Sequence, residues 1–208
     1  RPPEAKAAAL NVISKQFGYM LTHYVDADVN VHSVGEEPAS LASRDYMQRL
    51  FSTGKPQVTD SFAAGADGVT LNYTVAVPLF YKGEIVGCLF CAIYFDEVED
   101  LMREMAFEPG IEGILIGRRG QIMSSTEKDK LHYGDPFLDE VRASILLGTS
   151  KDKIEEQLLG RVSGSYWSIR GADLSYVEYA RVEGTEWDLI CMGSLWAAYA
   201  KLFPVLLP

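Results

Sequence analysis

From Glu4 to about Tyr24 apolar residues recur at helical intervals behind a Pro2-Pro3 start, which predicts an amphipathic helix with proline in its first turn. Tyr24 to Val34 alternates weakly around Asp26-Ala27-Asp28, a pattern for a short strand. Ser43 to Phe51 returns to helical spacing, with Ser43 as the expected N-cap and Gly54 and Pro56 as the stop. Val58 to Phe62 then reads as a strand, ended by a Gly65-Ala66-Asp67-Gly68 turn.

The strongest pattern is a pair of runs, Val69 to Phe80 and Ile85 to Phe95, rich in β-branched and aromatic residues and joined through Tyr81-Lys82-Gly83-Glu84. They predict a hairpin, and their mostly apolar positions predict a sheet covered on both faces. Asp96 to Met105 is helical and is broken at Glu108-Pro109-Gly110. A second series follows: a small hairpin of Ile114 to Gly117 and Ile122 to Ser125, and a helix from Asp135-Pro136 through about Leu147. A helix at Lys151 to Leu159 comes next, then strands at Ser163 to Ile169, Leu174 to Val182 and Trp187 to Gly193. Sequential hairpins favour antiparallel sheets, hence an α+β class: a long N-terminal helix and two units of related design, with a boundary near Phe107 to Gly113.

With 208 residues, 48% of them hydrophobic and 23% charged, the chain has enough apolar mass for such cores and is not disordered. A formal charge of -10 argues against nucleic acid and anionic lipid as partners. Cys88 and Cys91 lie three apart in a strand, so they point to opposite faces and do not pair. The three histidines are scattered away from the cysteines, and no metal site is expected. The longest internal apolar run, Ile85 to Phe95, is far below the roughly 20 residues of a spanning helix. The start at Arg1-Pro2-Pro3 and the apolar run from Ser194 to Leu207 are read as the ends of a piece of a longer protein, beside a membrane segment at the C-terminal side, or alternatively as an ordinary apolar last helix.

Phosphate loops ending in Gly-Lys-Ser/Thr, nucleophile elbows and paired histidines are missing from the sequence. The acidic run Glu97, Glu99, Asp100, Glu104 and Glu108 has the spacing of a solvated helix face. No nucleophile has a visible base, so no catalytic residue and no enzyme activity is expected. The remaining profile is that of a binding module: Arg44, Tyr46, Arg49, Asp60, Asn72, Tyr73, Thr74 and Tyr94 put polar and aromatic groups on or beside a buried sheet. The same tyrosines could equally be core residues and the arginines surface pairs.

The segment Ser43-Arg44-Asp45-Tyr46, then Ser52-Thr53-Gly54-Lys55-Pro56-Gln57-Val58-Thr59-Asp60, Val75-Ala76-Val77-Pro78-Leu79 and Gly83-Glu84-Ile85-Val86-Gly87 resembles the membrane-distal half of a double Cache domain. Gly113-Ile114-Leu115-Ile116, Gly120-Gln121-Ile122 and the Tyr179 to Trp187 segment resemble its membrane-proximal half. The resemblance implies two tandem PAS-like units held outside the cytoplasmic membrane between two membrane helices of a bacterial receptor. The outputs of such receptors are diguanylate cyclases or phosphodiesterases, histidine kinases or chemoreceptors. It implies a stalk helix at 1–24, a distal unit at 25–107, a proximal unit at 108–195 and a segment at 196–208 leading towards the membrane.

The resemblance also implies a small-molecule site in the distal unit, with no cofactor or metal. Arg44 would meet an anionic or carbonyl group, Tyr46 and Tyr73 would stack and donate hydroxyl bonds, and Asp60, Asn72 and Tyr94 would orient the ligand. Amino-acid-binding members resemble one another in an Arg-x-Trp-Tyr motif and a late-strand aspartate. Here Ser43 and Asp45 take the Arg and Trp places, Tyr46 matches, and Ala92 replaces the aspartate. A ligand other than an α-amino acid held by its ammonium is therefore expected. The competing expectation is a ligandless scaffold, a homodimer paired through Leu10, Val12, Ile13 and Phe17 of the first helix.

Overall fold

A computed structural model of the chain describes residues 3–64, 68–105, 110–126, 132–160 and 162–197. The fold is α+β, in two compact units, Arg1–Asp96 and Glu97–Pro208. The segments expected near Phe107 and from Ala198 onward lie outside the described residues, as does most of the 65–68 turn.

The first unit opens with α1 (Pro3–Phe17), followed by β1 (Leu21–Asp26), β2 (Asn30–His32) and β3 (Ala39–Ser40). The first helix is thus shorter than its apolar spacing predicts. Gly18 adopts φ 72, a left-handed conformation that ends the helix, and the apolar residues beyond it belong to β1. Then come α2 (Asp45–Thr53), β4 (Gln57–Val58), β5 (Phe62–Ala63), β6 (Leu71–Tyr81) and β7 (Glu84–Tyr94). The expected strand at 58–62 is two short pieces, both paired to β6. Ser43 does not cap α2: Arg44 is the N-cap, in extended conformation and without a side-chain bond, and Gly54 closes the helix at φ 66. The predicted hairpin is present, turning at Lys82 and Gly83 with φ 51 and 88, the doubly positive turn that suits the strand twist.

The sheet order is β3-β2-β1-β7-β6-β4, with β5 also on β6, and every pairing is antiparallel. One face carries Val25, Ala76, Cys88 and Phe90 and is covered by Met47 and Leu50 of α2, all six in one buried cluster. The other face is covered by α1 only in part. Tyr24 is buried there with the Lys6 ammonium 4.0 Å above its ring, whereas Val77 on β6 is 44% exposed. Cys88 faces α2, its Sγ 3.7 Å from the Met47 sulfur, and Cys91 faces the other way beside Thr22 at 3.3 Å.

The second unit holds α3 (Asp96–Glu104, which begins at the last residue of the first unit), β8 (Ile111–Ile116), β9 (Ile122–Ser125), α4 (Phe137–Ala143) and β10 (Ile145–Leu147). It continues through α5 (Lys151–Gly160), β11 (Gly164–Arg170), β12 (Asp173–Arg181) and β13 (Asp188–Ser194). The helix expected to run to Leu147 ends at Ala143, where Ser144 turns extended at ψ 155, and Ile145–Leu147 pairs with β11 instead. Pro136 is the N-cap of α4, in extended conformation. The sheet is antiparallel in the order β10-β11-β12-β13-β8-β9. Ile114, Ile116, Val177 and Ile190 on one face pack with Phe137 and Val141 of α4 and Ile154 and Leu158 of α5. The same plan, a sheet roofed by helices, is thus built twice.

Candidate functional site

Strand alternation decides which candidate residues can meet. In the β6–β7 register Asn72 pairs with Tyr94, Thr74 with Ala92 and Ala76 with Phe90, and paired residues share a face. β1 extends that face with Leu21 beside Ala92 and His23 beside Phe90. This is the face that α2 covers, so Tyr46, packed partly buried against the same cluster, looks onto it. Tyr46, Asn72 and Tyr94 therefore share one side of the sheet. Tyr73 does not: it points to the opposite side, where its ring meets Phe95 edge-on at 6.3 Å.

The remaining candidates sit at the margin. Arg44 is exposed at the start of α2, and its carbonyl accepts from Met47 N and Gln48 N at 3.1 Å each. Its guanidinium is close enough to oppose the effect of burial on Tyr46. Burial raises the phenol's pKa, the Arg44 charge lowers it, and the Cys88 thiol raises it again. The phenol is thus held protonated, able to donate a hydrogen bond beside a positive charge. Asp60 is half-buried in the link between β4 and β5. That link is fastened to β6 by Thr59, whose N donates to the Thr74 carbonyl and whose Oγ1 accepts from Thr74 N, both at 2.9 Å. Asn72 is buried and donates from Nδ2 to the Phe62 carbonyl at 3.1 Å, which ties β5 to the sheet.

Thr74, expected on or beside the sheet, lies on this face opposite Ala92 and is 2% exposed. One residue of this face escapes a reading by sequence alone: His23 is hidden by the assignment of its segment to the first helix. Its ring meets Phe90 edge-on at 5.6 Å, and burial lowers its pKa while Glu36 works weakly in the other direction. Because the folded-state pKa lies below that of the unfolded chain, the neutral ring favours the fold above the ordinary histidine range. That contribution is lost as pH falls through the depressed folded value. Replacing His23 by Gln should flatten the fall in Tm between pH 7.5 and pH 5; equal falls in both proteins would contradict a lowered pKa at the half-buried His23.

The face presents an aromatic donor, a carboxamide, a threonine and an imidazole around apolar Leu21, Phe90 and Ala92, with a cation at the rim, the mix of groups that small-molecule sites use. It carries no carboxylate at Ala92, the position opposite Thr74.

No family model and no curated protein matches the sequence. The fold is shared with solved structures at low identity. One is the extracellular domain described as that of the histidine kinase mmHK1S-Z2, with TM-score 0.70 and 13% identity over 95% of this chain and 84% of that one. Another is the ligand-binding domain of the Pseudomonas aeruginosa PAO1 amino acid chemoreceptor PctB in complex with L-Arg, with TM-score 0.67 and 17% identity over 96% and 81%. A third is the ligand-binding domain of the Campylobacter jejuni chemoreceptor Tlp3 in complex with 4-methylisoleucine, with TM-score 0.60 and 12% identity over 90% and 70%. The chain has the two-unit, PAS-like fold of these receptor domains, as its resemblance to double Cache domains implies.

Proposed function

We propose that this chain is the extracytoplasmic ligand-sensing domain of a bacterial transmembrane signalling receptor, and that it is not itself an enzyme. The observation that carries the reading is the two-unit architecture, shared over nearly the whole chain with extracellular domains of histidine kinases and chemoreceptors. In this reading 25–107 is the membrane-distal unit and 108–195 the proximal one, with 1–24 as the stalk and 196–208 leading towards the membrane. The distal ligand lies between α2 and the sheet, against Tyr46, Asn72 and Tyr94, with Arg44 and Asp60 at the rim. Tyr73, on the far face, supports the sheet rather than touching the ligand. A ligand that prefers one of two positions of α1 is sufficient to transmit a signal.

PctB and Tlp3 are described with amino acids bound. Ala92 argues that this chain takes something else, since a ligand ammonium would find no carboxylate at that position. A thermal-shift panel of carboxylates, amines, nucleobases and amino acids tests the reading. A ligand at about 100 times its Kd adds about 2.7 kcal/mol, a rise of several degrees for a chain of this size. A reproducible shift supports a sensor. Silence across the panel, together with a sedimentation coefficient that rises with protein concentration, supports the ligandless homodimer instead. For that alternative α1 offers an exposed stripe of Val12, Ile13 and Phe17.

A further inference from the structure

The second unit contains a cavity of about 580 Å³ between the sheet and α4, within the range that encloses small organic ligands. Its floor and one wall are apolar, formed by Ile114, Val177, Met192 and Phe137. Its polar groups come from alternate residues of β11 and β12, because Tyr166, Ser168 and Arg170 stand opposite Val177, Ser175 and Asp173 in register.

Two of these groups are open to the cavity. Tyr166 is 6% exposed and Ser168 is 4% exposed, and among the described residues neither hydroxyl has a hydrogen-bond partner in the protein. No side-chain oxygen among the described residues is both fully buried and unpartnered, so what little of these two residues is accessible includes their hydroxyls, which a molecule in the cavity can engage. The cavity's charge says what. Its described ionisable lining is Glu112, Glu140 and Asp173 against Arg170, a formal charge of −2. Arg170 is already engaged by Glu140, with Nη2 at 3.4 Å from Oε1 and a closer contact from Nη1. Among the described residues Asp173 accepts only from hydroxyls, Ser194 at 2.7 Å and Ser175 at 3.3 Å. Glu112 accepts from Ser125 Oγ at 3.0 Å and is engaged within the protein. An anion would have to break the Arg170–Glu140 pair and face Asp173, whereas a cation meets the Asp173 carboxylate and the rings of Phe137 and Tyr166.

We propose that this cavity is a second binding site, for a small organic cation such as an amine or guanidine, held by Asp173 and hydrogen-bonded by the hydroxyls of Tyr166 and Ser168. The site is separate from the first-unit face and does not depend on a ligand binding there.

Isothermal titration of the whole 208-residue chain with putrescine, agmatine, ethanolamine and choline, with succinate as the anionic control, tests it. At least one cation should bind saturably and succinate should not. Tyr166→Phe removes a hydroxyl that bonds nothing in the protein, so it should leave thermal unfolding in place while weakening the cation about fivefold to tenfold. Asp173→Asn keeps the shape and should weaken it tenfold or more. The inference is overturned if none of the four cations binds at 10 mM, a concentration chosen to be on the order of a weak site's Kd. It is equally overturned if binding survives both variants unchanged, or if it is lost in Tyr46→Ala and kept in Asp173→Asn. That last result places the ligand in the first unit and leaves the sensor reading standing without this site.

Discussion

Replacing Gly87 by alanine should unfold the first unit far more readily than any exposed substitution, lowering its thermal transition by on the order of 10 °C. Gly87 lies inside β7 between Asp26 of β1 and Leu79 of β6, at φ 146, a conformation that residues with a side chain rarely adopt. A Cβ there would collide with the Val25 carbonyl oxygen and come within 3.2 Å of the Tyr24 ring. That carbonyl belongs to a central strand and cannot swing aside. Backbone strain and overpacking each cost about 1–3 kcal/mol, so together about 2–6 kcal/mol is expected. Gly83 is the control: it too has positive φ, at 88, but nothing lies within 4 Å of its Cβ position. Its alanine variant should lose only about 1 kcal/mol, the conformational part alone. Denaturation of both variants, followed by circular dichroism, compares them. Equal losses would mean that the close approach of β1 to β7 at Gly87 does not constrain the fold.

Gly87 also illustrates what a sequence conceals. The β6–β7 hairpin is legible because β-branched and aromatic residues crowd two runs of equal length around Lys82-Gly83. The close packing that makes Gly87 irreplaceable comes from β1, a strand hidden by the helical spacing of Leu21 and Tyr24. Gly18 was the available signal there, since a left-handed residue after Phe17 outweighs apolar periodicity. Ile145-Leu146-Leu147 misleads in the same way. A short apolar run continues a helix pattern as well as it makes an edge strand, and only pairing with β11 decides. The duplicated α+β plan, by contrast, follows from hairpin order alone.

The first-unit site was legible in part. Period-two alternation alone puts Asn72 and Tyr73 on opposite faces, so they could not serve one pocket. Tyr46 follows from its place in the motif after Arg44, whereas His23 needed the strand to be seen first. In the second unit, Tyr166 and Ser168 carry no sequence signal, because hydroxyls on the inner face of a strand announce nothing until a cavity is found beside them.

The largest functional effect is expected at Tyr46. With a ligand from the thermal-shift panel bound in the first unit, Tyr46→Ala should weaken binding by roughly 30-fold or more, the scale of removing a central aromatic contact. Tyr46 also packs against the Met47 and Leu50 cluster, so some loss of Tm is expected and does not by itself explain lost binding. Arg44→Ala separates the two effects. Arg44 is exposed, bonds α2 only through its backbone carbonyl, and its side chain makes no cap bond, so its removal should leave Tm within about 1 °C. It should nevertheless weaken a ligand that carries an anionic or carbonyl group by about tenfold, because the rim then loses a positive charge beside the Tyr46 phenol. If both variants keep wild-type affinity while Asp173→Asn does not, sensing belongs to the second unit. The α2-covered face of the first is then structural, and Tyr46 serves the core alone.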